Sequence, residues 1–399
     1  MSIASVVQLG AEIEARWRAA DYALHLLPGL ATRALAEVRL LASLHPDEIV
    51  EWALSGDELP QQPDPTAKFG QPPVTLFRGR RSHIDALFWV DGTTTIHQHG
   101  FSGAFQVLSG SSIETRYAFD SERSIDGRFL IGKLRVASTS FLRPGDIRPI
   151  ESGSRLIHAL FHLERPSITI VVRSFSDADA GPQYDYALPG IGHDPFFMDV
   201  TRDRALQLVG MLRTTEHPRF EGLVGDLIER SDLHSAYRVL RECASLPDVS
   251  MFERLIARVR DASAADMFRQ AFEENRRIAF LRTRRNLVKD PELRFFLGVL
   301  LNAHRRQDVL TLVSERDPGV DAAKQVAACL RRLSEVTVKL QAAGIPWQPN
   351  LLGLPAFTDE LEAFVAQFVA GGERRADTEA GRAFMGKLQA IPALACLFA

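Results

Sequence analysis

The amino-acid sequence predicts an α+β chain in which an N-terminal helical segment precedes a jelly-roll β-barrel and an all-α domain follows it. Three observations predict this. Apolar residues recur at helical spacing up to residue 55, the period shortens to two between residues 74 and about 175, and helical spacing returns after residue 200. At 399 residues the chain has room for two domains and a smaller third element.

An apolar content of 46% and a charged content of 24% are enough to build cores, and a net charge of −3 argues against a nucleic-acid or membrane-surface binder. Cys243, Cys329 and Cys396 lie far apart, with neither a metal-binding pair nor a secreted disulfide pattern. The opening MSIASVVQLGAEIEARW has no basic leader and is broken by Glu12, Glu14 and Arg16, so it does not read as a signal peptide. No run is long and apolar enough for a bilayer span, and a reducing cytoplasm is expected.

In residues 1–55, Val6, Val7, Leu9, Ile13 and Trp17 are spaced for one helix face, and Leu35, Val38 and Leu41 for a second. Residues 56–73 form a linker, because the stretch SGDELPQQPDPTAKFGQPP carries five prolines, each without the amide that a helix or central strand needs. Residues 74–180 form the barrel. There DALFWV, FQVL, IETRYAF, FLIGKLRV and ITIVV read as strands, and Asp126-Gly127 and Pro144-Gly145 as turns. In IETRYAF, Ile113, Thr115, Tyr117 and Phe119 alternate with Glu114, Arg116 and Ala118, the pattern of a half-buried strand.

Residues 181–200 read as a connecting loop, either covering the barrel mouth or packing the domains together, and 201–399 as the helical domain. There Ser250 with Glu253 reads as a capping box, and Asp290-Pro291-Glu292 as a cap with a first-turn proline. Leu293, Phe296, Leu297, Leu300 and Leu301 share an apolar face, and Gly371-Gly372 closes a later helix. Cys243 and Cys329 read as small core residues, and the arginines of RRIAFLRTRRNLVK as a solvated helix face.

The stretch TTIHQHGFSGAFQVLSG (94–110) carries the chemistry. On a strand, His97 and His99 point to one face and Ile96 and Gln98 to the other. Two imidazoles from one strand grip a metal if a third ligand arrives from elsewhere. RPGDIRPIESGSRLIHALFH (143–162) offers His158, with His162 on the same face.

These two segments resemble the metal-binding motifs of the cupins, small jelly-roll barrels. The first cupin motif runs H-x-H, three or four residues, a glutamate, six residues, a glycine. Here Gly103 stands at the glutamate position and Gly110 at the glycine. The second motif is similar to GDIRPIESGSRLIH, ending on His158, with looser spacing. The resemblance covers roughly residues 74–175. Loss of the glutamate resembles the three-histidine thiol dioxygenases of the cysteine dioxygenase type, as does a helical segment ahead of the barrel.

What the resemblance implies is a metal held by His97, His99 and His158, and Fe(II) as that metal, although nitrogen ligands with open positions also suit other divalent transition metals. By the same resemblance Arg78 holds a substrate carboxylate; read alone, Arg78, Arg80 and Arg81 are equally a solvated basic rim. Tyr117 reads as a core tyrosine or as a phenol reaching the substrate. His162 reads as a partner orienting a ligating imidazole, a replacement ligand or a core histidine. Val171 and Arg173 depart from the family, standing where cysteine dioxygenases carry a histidine and a tyrosine.

The expected function is a non-haem Fe(II), O2-dependent dioxygenase of a small anionic thiol or amino-acid derivative. The alternatives are a non-catalytic metal-binding or ligand-sensing cupin, and a tailoring oxygenase acting on a carrier-bound or peptide substrate. The helical domain would then serve as a homodimer or carrier interface.

Overall fold

The structure, a computed structural model, describes residues 3–38, 40–56, 59–62, 69–90, 92, 94–336, 350–371 and 379–399. Among the described residues eleven strands form its centre: β1 (Pro73–Arg78), β2 (Ser82–Trp89), β3 (Ile96–His99), β4 (Gly103–Ser109), β5 (Ser112–Ser124), β6 (Phe129–Leu142), β7 (Ile147–Ile150), β8 (Gly153–His162), β9 (Ser167–Ser174), β10 (Asp185–Ala187) and β11 (Ile191–His193). One antiparallel sheet has the order β1-β2-β9-β4-β7, and a closed barrel runs β10-β11-β6-β5-β8-β3. With helices before and after, this is the α+β architecture expected of a cupin jelly roll carrying helical additions.

The stretch read as a connector supplies β10 and β11. Asp185 pairs with His97, and Ile191 with Ile131, so these short strands bridge β3 and β6 and close the barrel. Three residues per strand are too few for periodicity to register.

Helices cover both sheets from outside. Helices Ile3–Ala19 and Leu27–Val38 bury Val6, Leu9, Ile13, Trp17 and Leu35 against Ile84, Ala86, Ile170 and Val172 of the five-stranded sheet. Val7, expected on that face, is exposed. The inner face contributes Leu87, Trp89, Phe105 and Val171, which pack on Leu156 and Leu160 of β8. Both faces of β2 are therefore buried along its whole length.

The C-terminal helices cover the other sheet in two clusters. Phe129, Ile131 and Ile191 pack with Tyr237, Leu240 and Phe268, while Ile113 and Phe161 pack with Phe296, Leu300 and Leu330. The helix Ala262–Leu287 serves both, giving Phe268 and Phe272 to one and Leu281 to the other. At ~1.5 Å per residue it is long enough to span them.

Cap chemistry sets several helix starts. Asp290 accepts from the amides of Glu292 and Leu293 ahead of Pro291, as predicted. The helix Val249–Ile256 is capped by Asp248, which accepts from Met251, so the Ser250 box does not form. Gly371, at φ 96°, follows Asp359–Val369 in the left-handed conformation; Gly372 lies outside the described residues. The three cysteines are free and buried. Among the described residues no helix is long and apolar enough to cross a membrane.

Candidate metal centre

His97 and His99 project from β3 into the barrel while Gln98 points outward, accepting from the Tyr186 hydroxyl at 2.6 Å and donating to the Pro182 carbonyl at 2.7 Å. The period of two thus delivers both imidazoles to the interior. His158 lies directly opposite His97 in the β3–β8 ladder, so strand register brings the third ring alongside. One ring nitrogen of each lies within 4.8 Å of the others, and all three residues are buried.

Hydrogen bonds prepare the nitrogens. His97 donates from Nδ1 to the Thr95 carbonyl at 2.8 Å, which leaves Nε2 bare, buried and without a partner. His158 donates from Nδ1 to Glu114 Oε1 at 3.0 Å, which turns its Nε2 to His99 Nε2 at 2.9 Å. Two nitrogens each ~2.0–2.1 Å from a divalent ion and at right angles to one another lie ~2.9 Å apart. That edge fits two neighbouring positions of an octahedral ion. Burial, with His158 as a lesser cause, pushes His97 down to about 3, and burial holds His99 well below the ordinary imidazole range. Both rings are neutral at physiological pH, the state that metal binding requires.

Glu114 is a site residue that the sequence reading missed. It is 1% exposed and touches His158 Nδ1, Arg116 Nε at 3.2 Å and Arg148 Nε at 3.4 Å. Burial acts to raise its pKa, but the His158 hydrogen bond and Arg116 outweigh it and keep the carboxyl below its usual range. A carboxylate behind a ligating imidazole fixes the tautomer and raises the ring's basicity. Glu114→Gln is therefore expected to weaken metal affinity about 10- to 100-fold, read by chelator competition. Unchanged affinity would remove Glu114 from the site.

The alternation in β5 runs opposite to the expected sense. Ile113 joins the helical core, Thr115 faces the Asn302 carbonyl and the Tyr117 hydroxyl meets His304 Nε2 at 3.2 Å, while Glu114 faces inward. Tyr117 thus points away from the histidines, and burial pushes its phenol up.

His162 does face the interior, four residues from His158 and so ~13 Å along the strand. It stacks on Trp89 at 4.6 Å and meets Ser112 Oγ at 2.9 Å through Nδ1. That distance leaves it neither a ligand nor a partner of the three rings; Glu114 has the orienting role.

Arg78 is also displaced from its expected place. As the last residue of β1 it is exposed, its guanidinium 4.5 Å from the Phe175 ring. It does not line the histidine cavity. Phe175 stacks on His83 at 4.9 Å, and His83 Nε2 accepts from Arg173 at 2.7 Å. Arg173 lies 4.6 Å over Phe101, a wall residue of the cavity, and is paired with Asp85 at 3.4 Å.

The remaining walls include Phe69, Leu87, Trp89, Thr169 and Val171, and about 20 Å³ is left between them. That is room for one water-sized group. Phe69 stands edge-on to His97 at 5.8 Å and to His99 at 6.3 Å.

The closed barrel and its convergent histidines fit the cupin class. No family model matches the chain, and no curated protein matches it in sequence. Solved structures align with a little over a quarter of the chain. Oxalate decarboxylase of Lactobacillus farciminis, in a formate complex, is 16% identical over 27% of this chain with a TM-score of 0.19, and the chain spans 27% of that enzyme's length. Hydroquinone 1,2-dioxygenase of Sphingomonas sp. TTNP3, with 4-hydroxybenzoate bound, is 11% identical over 28% of this chain and 70% of its own, with a TM-score of 0.22. A cupin-2 domain protein of Shewanella frigidimarina is 15% identical over 31% of this chain and 87% of its own, with a TM-score of 0.19.

Proposed function

We propose that the chain is a non-haem, metal-dependent dioxygenase of a small anionic substrate, a thiol or amino-acid derivative, with His97, His99 and His158 holding Fe(II). The observation that carries this reading is the convergence of one ring nitrogen each from His97, His99 and His158 within 4.8 Å, all three rings buried in one apolar pocket and His97 Nε2 without a partner. Three neutral donors leave a divalent ion its full charge, which favours an anionic substrate and dioxygen at the open positions.

The residues around the rings supply the rest. Glu114 accepts the His158 Nδ1 proton and holds that ring in one tautomer. Trp89, Phe101, Phe105 and Val171 exclude water, which strengthens electrostatic contacts within the pocket. Arg173, not Arg78, is the guanidinium stacked on a wall residue, and in this reading it orients the substrate's carboxylate by exchanging its contact with Asp85. Phe69, edge-on to His97 and His99, is the wall residue that a substrate would have to displace.

The test is metal analysis of freshly purified protein, followed by oxygen uptake with cysteine, 3-mercaptopropionate and other small acids. Iron near one per chain and substrate-dependent uptake are expected. Iron-loaded protein that consumes no oxygen with any of these defeats the dioxygenase reading. The small residual space favours a second reading, a metal-binding cupin without turnover, and that same result would select it.

A further inference from the structure

The basic run RRIAFLRTRRNLVK has no part in the histidine site. Contrary to the solvated face expected for it, Arg284 and Arg285 are 4% and 3% exposed. Arg285 lines a cavity of about 430 Å³ where the β8–β9 turn meets the helices Ala262–Leu287 and Pro291–Asn302. Arg165, Lys289, Arg294 and Arg316 line it too, against a single carboxylate, Glu164.

That carboxylate is already engaged, accepting from the Ser111 amide at 2.5 Å and the Ser111 hydroxyl at 2.9 Å. The arginines are positioned mostly by neutral acceptors. Arg285 donates to the carbonyls of Arg294 at 3.0 Å and Leu163 at 2.7 Å; Arg294 donates to those of Arg285 at 2.9 Å and Val288 at 3.0 Å. Arg165 donates to the Asn286 side-chain oxygen at 3.1 Å. Among the described residues only Arg316 of these cations has an ion-pair partner within 4.0 Å, Asp317 at 3.7 Å, while Glu164 acts on Arg285 from farther away. Carbonyls fix the direction of a guanidinium but leave its charge uncancelled.

Gathering such cations in a chain of net charge −3 costs free energy unless an anion joins them. Burial, then Arg294 and Arg165, lowers Arg285 to about 10, a sign of the same crowding. Guanidinium forks match tetrahedral oxyanions bidentately, and five cations against one carboxylate call for a group with two or more negative charges. The volume lies in the range that holds a whole small ligand, and Phe141 and Leu163 give it apolar walls. We propose that this cavity binds a small phosphate-bearing molecule, its phosphate between Arg165, Arg285, Lys289 and Arg294 and its organic portion against Phe141 and Leu163.

The full chain is titrated calorimetrically, at fixed ionic strength, with inorganic phosphate, pyrophosphate, ADP and citrate, and its thermal unfolding is followed alongside. Pyrophosphate and ADP are expected to bind and to raise the unfolding temperature with concentration. The double variant Arg165→Ser/Lys289→Ser changes two exposed residues and is expected to weaken that binding by at least ~10-fold with metal content unchanged. Absence of binding by every phosphate compound, equal binding by the double variant, or citrate binding as tightly as pyrophosphate would each overturn the assignment. Metal content and oxygen uptake report separately on the histidine site, so the two readings fail independently.

Discussion

His97→Ala is expected to give folded protein that no longer holds a divalent metal. His97 is the cleanest of the three positions to remove, because its ring has one hydrogen bond, to the Thr95 carbonyl, and its Nε2 has no protein partner. Alanine there leaves the Glu114–His158 pair and the two arginines on Glu114 undisturbed. The stability change is therefore expected to stay within about 2 kcal/mol, the scale of one lost hydrogen bond plus some packing. Metal affinity is expected to fall by more than the ~100-fold upper range for removing a ligand's supporting partner, since a donor itself is gone. Elemental analysis reads the loss of metal directly, and on the dioxygenase reading oxygen uptake is expected to fall with it. A variant that keeps a full complement of tightly bound metal would show that His97 is no ligand and that the site is built from other atoms.

The paired histidines were legible because strand geometry sends alternate residues to one face, and His158 because it follows a turn on a second strand. Glu114 was hidden by the same rule. Alternation reads the apolar set, Ile113, Thr115 and Tyr117, as facing the barrel core. In the structure that set faces helices that cover the sheet from outside, so both faces of the first half of β5 are buried and Glu114, on the polar one, reaches His158. Sequence pattern distinguishes two faces, but not which of two apolar surroundings each one meets. Arg285 was misread for a related reason. Charge argues for solvent, yet the carbonyls of Leu163 and Arg294 come from segments far enough along the chain that nothing local announces them. Of the two readings left open for Arg78, a carboxylate anchor and a solvated rim, sequence could not choose, because the choice depends on where the end of β1 lies relative to the cavity; Arg78 is exposed opposite His83 and is not among the cavity's lining residues.

Gly103→Glu, which would restore the carboxylate of the family pattern, is expected to destabilise the barrel rather than add a ligand. A Cβ on Gly103 would lie 1.9 Å from the Val172 carbonyl oxygen and 2.9 Å from the Arg173 Cα. Those atoms belong to β9, the middle strand of its sheet, paired on one side with β2 and on the other with β4. Neither neighbour can give way as a flexible side chain would, so relief requires β4 to leave its ladder. Overpacking that displaces side chains costs about 1–3 kcal/mol, and a clash with a central backbone is expected at or above the top of that range. An unfolding temperature lower by roughly 6–12 °C follows for a domain of this kind, or loss of soluble protein. Gly103→Ala separates the two effects, since it carries the Cβ without the carboxylate and is expected to be similarly destabilised. If Gly103→Glu instead remained folded and bound metal more tightly than the wild type, the start of β4 would be free to shift, and the glycine would mark a lost ligand rather than a close approach of two strands.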